Sequence, residues 1–167
     1  HDVGKTVHAG DEWVLEVHSN IAGGYSRAGF ELEASSTPPA LQTMTMLIQR
    51  HPFTLAPRRA AISVRSDAWR APAAGVWVLA HGHFHRRGIY QSFERNGAVV
   101  GEWNATQTHG CGTDDPALSF MGLALAEGDA LTTTCTFSTM HDTKPVVAGV
   151  RAEDEMCSAF VVLAFPS

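Results

Sequence analysis

Short β-branched or alternating apolar runs, each closed by Gly, Pro or a polar cluster, follow one another along this chain. Nowhere does a sustained helical spacing of apolar residues stand between capping signals. The runs cover 13–18, 29–34, 44–49, 60–66, 76–85, 88–94, 99–104, 118–125, 131–137 and 158–165. A parallel sheet needs long crossover connections, usually helices, and this pattern offers none. Roughly ten strands at intervals of about 8–15 residues therefore predict an all-β antiparallel β-sandwich, jelly-roll-like in type. Asn96-Gly97 between two of the runs marks a tight hairpin.

At 167 residues the chain is long enough for one domain with a substantial core. With no internal repeat or linker, residues 1–167 read as a single domain. Charged residues make up only 17%, the net charge is −5, and the 12 Lys and Arg are scattered, so a nucleic-acid footprint is absent. No apolar run approaches the roughly 18 residues of a membrane span. The chain starts abruptly at His1-Asp2, as would a mature exported protein after loss of its leader, or a trimmed chain.

Three cysteines bear on the compartment. Cys135 and Cys157 each lie in a strand-like stretch, 131–137 and 156–165, which suits a cross-strand disulfide with Cys111 left as an odd thiol in a Gly- and Asp-rich loop. Three reduced cysteines are the other arrangement the residues allow.

Nine histidines are unusual, and histidine is the commonest metal ligand. In His81-Gly82-His83-Phe84-His85 an extended chain places the three imidazoles on one face, with same-face neighbours about 7 Å apart. Two of them can converge on one ion, although a solvated polar strand face would also read this way. Met156 precedes Cys157, and in an extended chain its thioether points away from the side on which the cysteine lies. A methionine taken alone is more often a core gap-filler.

Taken together, several motifs in order resemble the type II, ascorbate-dependent copper monooxygenases, which include peptidylglycine α-hydroxylating and dopamine β-monooxygenases. They are Leu15-Glu16-Val17-His18, His81-Gly82-His83, the Arg95-Asn96-Gly97 turn, Gly128-Asp129-Ala130-Leu131, Cys135-Thr136-Phe137 and Asp154-Glu155-Met156-Cys157. The resemblance is to the second, catalytic copper domain and runs from about residue 13 onward, leaving 1–12 as an N-terminal segment. It implies one copper bound by His81, His83 and Met156, a Cys135–Cys157 disulfide, and hydroxylation of a C–H bond using dioxygen and ascorbate or another external reductant. It also implies a secreted or periplasmic location. Two imidazoles and a thioether form a soft, neutral set suited to Cu(I), with room left for dioxygen.

The departures from that family also matter. Its two-domain members carry a further copper, bound by three His, in a separate N-terminal domain. His18 matches one of those ligands, but the upstream His-His pair is missing. His1, His8 and His18 are the residues that could form a substitute second site; otherwise an electron-donor partner or a diffusing reductant is required. An Arg and a Tyr of the peptide-amidating enzymes are replaced by Leu79 and Phe160, which suits an apolar small-molecule substrate or none. The alternative reading is a non-catalytic extracytoplasmic copper carrier on the same fold. His85 extends the imidazole face, while His109 with Cys111, His51 and His141 fall in loop contexts.

Overall fold

A computed structural model describes residues 3–12, 14, 34–104, 118–151 and 153–166. Among them run β1 (Val3–Gly4), β2 (Leu41–Gln49), β3 (Thr54–Leu55), β4 (Ile62–Arg65), β5 (Trp69–Arg70), β6 (Gly75–His83), β7 (Gly88–Arg95), β8 (Ala98–Asn104), β9 (Leu118–Leu125), β10 (Ala130–Phe137), β11 (Val146–Val147) and β12 (Ser158–Pro166). No helix occurs among the described residues. One sheet has the order β1-β2-β12-β6-β9 and a second the order β4-β10-β7-β8, with β5 also on β10; β3 and β11 form a small ribbon. The fold is all-β and mostly antiparallel, as the sequence predicts, and β1 alone of these strands runs parallel to its neighbour, β2.

Alternation builds the core. On β12, Ala159, Val161 and Leu163 are buried, and on β10 so are Leu131, Cys135 and Phe137. The two sheets meet in a cluster of Ile48, Trp77, Ala80, Phe93, Leu125, Leu131, Val161 and Leu163. A second cluster, of Leu55, Phe84, Cys135, Phe137, Val146 and Cys157, fills the end of the sandwich near the histidines. The β7–β8 hairpin turns on Asn96 and Gly97 at φ of 51° and 81°, the left-handed pair that a two-residue turn needs. Asn96 also accepts the Ala130 N–H at 2.8 Å through Oδ1, latching the hairpin to the start of β10.

A bulge aims the imidazoles. Against β12, β6 carries one extra residue, Val78, between Trp77 and Leu79. Trp77 points inward before it; Ala80 and Gly82 point inward after it. The phase change sends Leu79, His81 and His83 to the outer face of the first sheet. The indole Nε1 of Trp77 donates to the Leu79 carbonyl at 3.0 Å across the irregularity.

Several boundaries differ from the sequence reading. The run 76–85 ends as a strand at His83, so Phe84 and His85 belong to the turn into β7. The run 60–66 shrinks to β4, and the two-residue strands β3, β5 and β11 carry no periodic signal long enough to read. The disulfide does form between Cys135 and Cys157, with Cα atoms 5.7 Å apart. It joins β10 of one sheet to the residue just before β12 of the other, so it staples the two layers. The runs 13–18 and 29–34, the turn at 22–24, and His109 with Cys111 lie outside the described residues, apart from residues 14 and 34.

Candidate metal centre

His81 and His83 are two residues apart on the outer face of β6, which sets their backbones about 7 Å apart. Gly82 between them is tightly enclosed on the inner side. A Cβ there would run into the Gln91 side-chain oxygen and would lie 2.9 Å from Trp103 Cε3. Gln91 is fully buried and donates from Nε2 to Thr133 Oγ1 and to the Ser158 carbonyl, both at 2.8 Å. The imidazole pair therefore stands on a backbone pressed against a fixed interior amide.

Across the sheet, Phe160 of β12 is paired with His81 and Ser158 with His83. The Phe160 ring lies 6.4 Å from that of His81 and 6.1 Å from that of His83, and is 46% exposed. Leu79 is paired with Val162, so the outer face beside the imidazoles is apolar. Met156 lies two residues before Ser158, which places it at the His83 end of the same sheet, half-buried, between the fully buried Glu155 and the half-cystine Cys157.

His81 Nδ1 is buried and has no hydrogen-bond partner. A buried polar nitrogen left unpaired is costly unless something else uses its lone pair or proton. Burial, then the neighbouring His85 and His81, push the His83 imidazole below its ordinary pKa and hold it in the neutral form that can ligate. Both features fit a bound metal ion. Among the described residues, no three His, Cys, Asp or Glu side chains gather around one point, so a three-ligand site here needs a donor of another type. A thioether is such a donor.

His85 is brought near the pair but is held differently. Its ring lies 5.4 Å from that of His83, edge to face, and its Nδ1 is 2.9 Å from the Asp154 carbonyl. Since a carbonyl only accepts, Nδ1–H is the donor and any lone pair of the neutral ring is at Nε2. His8 sits in an exposed turn, its N–H donating to Asp11 Oδ2 at 2.8 Å, while His1 and His18 lie outside the described residues. His51 and His141 are exposed.

The sequence reading missed the buried polar cluster behind Met156. Glu155 has no solvent exposure and accepts the backbone N–H groups of His85 and Arg87. Burial pushes its carboxyl up despite those two bonds, the nearby His85 and Arg87. The Arg87 guanidinium is held bidentately by Asp142. Glu155 stands within the quoted motif, but nothing in the sequence shows that its carboxylate turns inward.

Residues 68–165, more than half of the chain, match the family described as copper type II ascorbate-dependent monooxygenase, C-terminal domain. The chain belongs to this family. A comparison with curated proteins finds no match.

Proposed function

We propose that this protein binds one copper ion through His81, His83 and Met156 and uses it as a monooxygenase. When bound, the copper supplies dioxygen activation and the electron transfer of C–H hydroxylation, with ascorbate or another external reductant as electron source. The observation that carries the reading is the buried, unpartnered Nδ1 of His81 beside a neutral His83, in a chain of this family. His81 and His83 contribute neutral nitrogen donors, and Met156 a soft sulfur that favours the reduced ion. Phe160 and Leu79 turn an apolar surface toward the centre, which limits water at the imidazoles and favours an apolar substrate. The Cys135–Cys157 bridge supports an oxidising, extracytoplasmic location.

Copper per chain by elemental analysis, with Cu(I) competition titrations, tests the site in wild type, His83→Ala and Met156→Ala. One equivalent in wild type, lost or greatly weakened in both variants, is expected. Binding indifferent to both changes refutes the ligand set, and copper that survives them in full would redirect attention to His1, His8 and His18. Ascorbate-driven oxygen uptake that yields a hydroxylated product then supports catalysis. Tight Cu(I) binding without product supports a carrier.

A further inference from the structure

Met156 lies in a stretch that no sheet ladder holds. β12 begins at Ser158, and Met156, just before it, is flanked by two fixed points. On one side is the Cys157 bridge to β10, with the Cys157 carbonyl also accepting the Arg50 N–H at 3.0 Å. On the other side is Glu155. Its backbone is tied to the end of β11 and the residues that follow: its N–H donates to the Val147 carbonyl, and its own carbonyl accepts the Gly149 N–H, both at 3.0 Å.

The Glu155 side chain reaches elsewhere. Oε2 accepts the His85 N–H at 2.9 Å, and Oε1 accepts the Arg87 N–H at 2.8 Å. Both donors belong to the turn that leaves β6 directly after His83. Two further bonds join the same segments: His85 Nδ1 to the Asp154 carbonyl at 2.9 Å, and Arg87 Nη1 to the Glu153 carbonyl at 2.9 Å. Asp142 fixes the guanidinium through two bonds of 2.8 Å. Three consecutive residues before Met156 are thus held by the turn just after His83.

We propose that Glu155 is a positioning residue for the metal centre: its buried carboxylate rivets the turn after His83 to the residue before Met156, and so sets the thioether relative to the two imidazoles. The inference rests on Met156 being a copper ligand. Removing one partner from a satisfied buried network leaves backbone N–H groups unpaired, and the two segments lose their common anchor. Arg87 and Asp142 act through Glu155 and the Glu153 carbonyl, so their effect has the same direction and is smaller.

The test compares Cu(I)-loaded wild type with Glu155→Gln, Asp142→Asn and Met156→Ala. Asp129→Asn serves as a control, because Asp129 caps the distant β9–β10 turn by accepting the Ala126 N–H at 2.7 Å. X-ray absorption reads the copper–sulfur scatterer, competition titration reads affinity, and urea unfolding of the metal-free proteins reads stability. Glu155→Gln is expected to weaken Cu(I) binding by about tenfold or more and to diminish the sulfur scatterer. Asp142→Asn shifts both readouts less in the same direction, and carries the test if Glu155→Gln does not fold. Asp129→Asn is expected to lose stability with wild-type copper binding. A sulfur scatterer that disappears in Met156→Ala yet persists at full strength and affinity in Glu155→Gln and Asp142→Asn overturns the inference alone. So does an Asp129→Asn variant whose copper binding falls as far as its stability. A wild type without a sulfur scatterer, or Met156→Ala binding like wild type, overturns the ligand set and this inference with it.

Discussion

Two buried glutamates, one on β7 of the second sheet and one in the stretch before β12, face opposite electrostatic outcomes. Glu155 is fully buried, and burial pushes its carboxyl up more than its two backbone N–H donors and Arg87 bring it down. Arg87 Nη1 stays 3.7 Å from Glu155 because the rest of the guanidinium is engaged by Asp142. Glu94, on the outer side of the second sheet, also feels burial first. There the hydroxyls of Thr134, Thr132 and Ser92, at 2.6, 3.1 and 3.1 Å, together with Arg65, outweigh it and hold the carboxyl below its ordinary range. The difference lies in what each carboxylate connects. Glu94 is solvated by side chains of adjacent strands whose ladders would stand without it, whereas Glu155 bonds segments that no ladder joins.

Truncation should expose that difference most strongly. Glu155→Ala leaves the His85 and Arg87 N–H groups without acceptors in a site closed to water and removes a counter-charge from Arg87. A loss of about 3–5 kcal/mol is expected for breaking such a buried set. Glu94→Ala should cost about 1–2 kcal/mol, because the freed hydroxyls can turn to other acceptors and Arg65, with a side chain 53% exposed, already faces water. Urea unfolding of the metal-free proteins at neutral pH measures both. Equal losses would erase the contrast between a connecting carboxylate and a locally solvated one.

Gly82→Ala is the next largest effect, and it separates packing from polar anchoring in the same region. The added methyl meets the Gln91 amide, held by its two hydrogen bonds, and Trp103, stacked on Phe84, so overpacking of about 1–3 kcal/mol is expected. The strand yields by moving outward, carrying His81 and His83 with it, so Cu(I) affinity should fall alongside stability. Gly97→Ala provides the contrast. Nothing lies within 4 Å of that position, so the cost there is the φ of +81° alone and copper binding should be unchanged. If Gly82→Ala binds copper like wild type, the inner face does not govern the imidazoles.

What could be read in advance divides along the same line. The strands β2, β6, β7, β8, β9, β10 and β12 were legible because alternation over several residues is a local signal, and the Asn96-Gly97 turn because its chemistry is local too. The outward aim of His81 and His83 depends on the bulge at Trp77–Leu79. Val78, the residue of β6 left over against β12, is apolar like its neighbours and leaves no mark in the sequence. The two-residue strands are products of tertiary packing. Glu155, Arg87 and Asp142 were illegible for a further reason: a charged residue in a loop-like stretch reads as solvated, and only the meeting of distant segments buries it. The cysteine pairing was within reach of the sequence, but its role as a staple between layers required knowing which sheet each residue joins.

The smallest expected effect is the pH dependence of the Glu94 cluster. The folded-state pKa of Glu94 lies below the ordinary glutamate value of 4.5, so between the two values the unfolded chain binds more protons than the folded one. Stability therefore rises with pH through that window. The contribution is complete above about pH 4.5 and is lost as pH falls through the folded value. The groups facing Glu94 are Arg65 from β4, the hydroxyls of Thr132 and Thr134 from β10, and Ser92 and the Tyr90 phenol from β7. Burial, with Glu102 and Glu94 nearby, pushes that phenol up, so it stays protonated throughout the acid range. Glu94→Gln should thus be less stable than wild type at pH 7, and the gap should shrink as urea midpoints are followed down toward pH 3. Added salt should narrow the gap only slightly, since the hydroxyl bonds outweigh the exposed Arg65 partner. A gap that stays constant from pH 7 to 3 would show that Glu94 is held by shape and not by its charge. It would then resemble a polar spacer more than the carboxylate that Thr132, Thr134 and Ser92 are arranged to solvate.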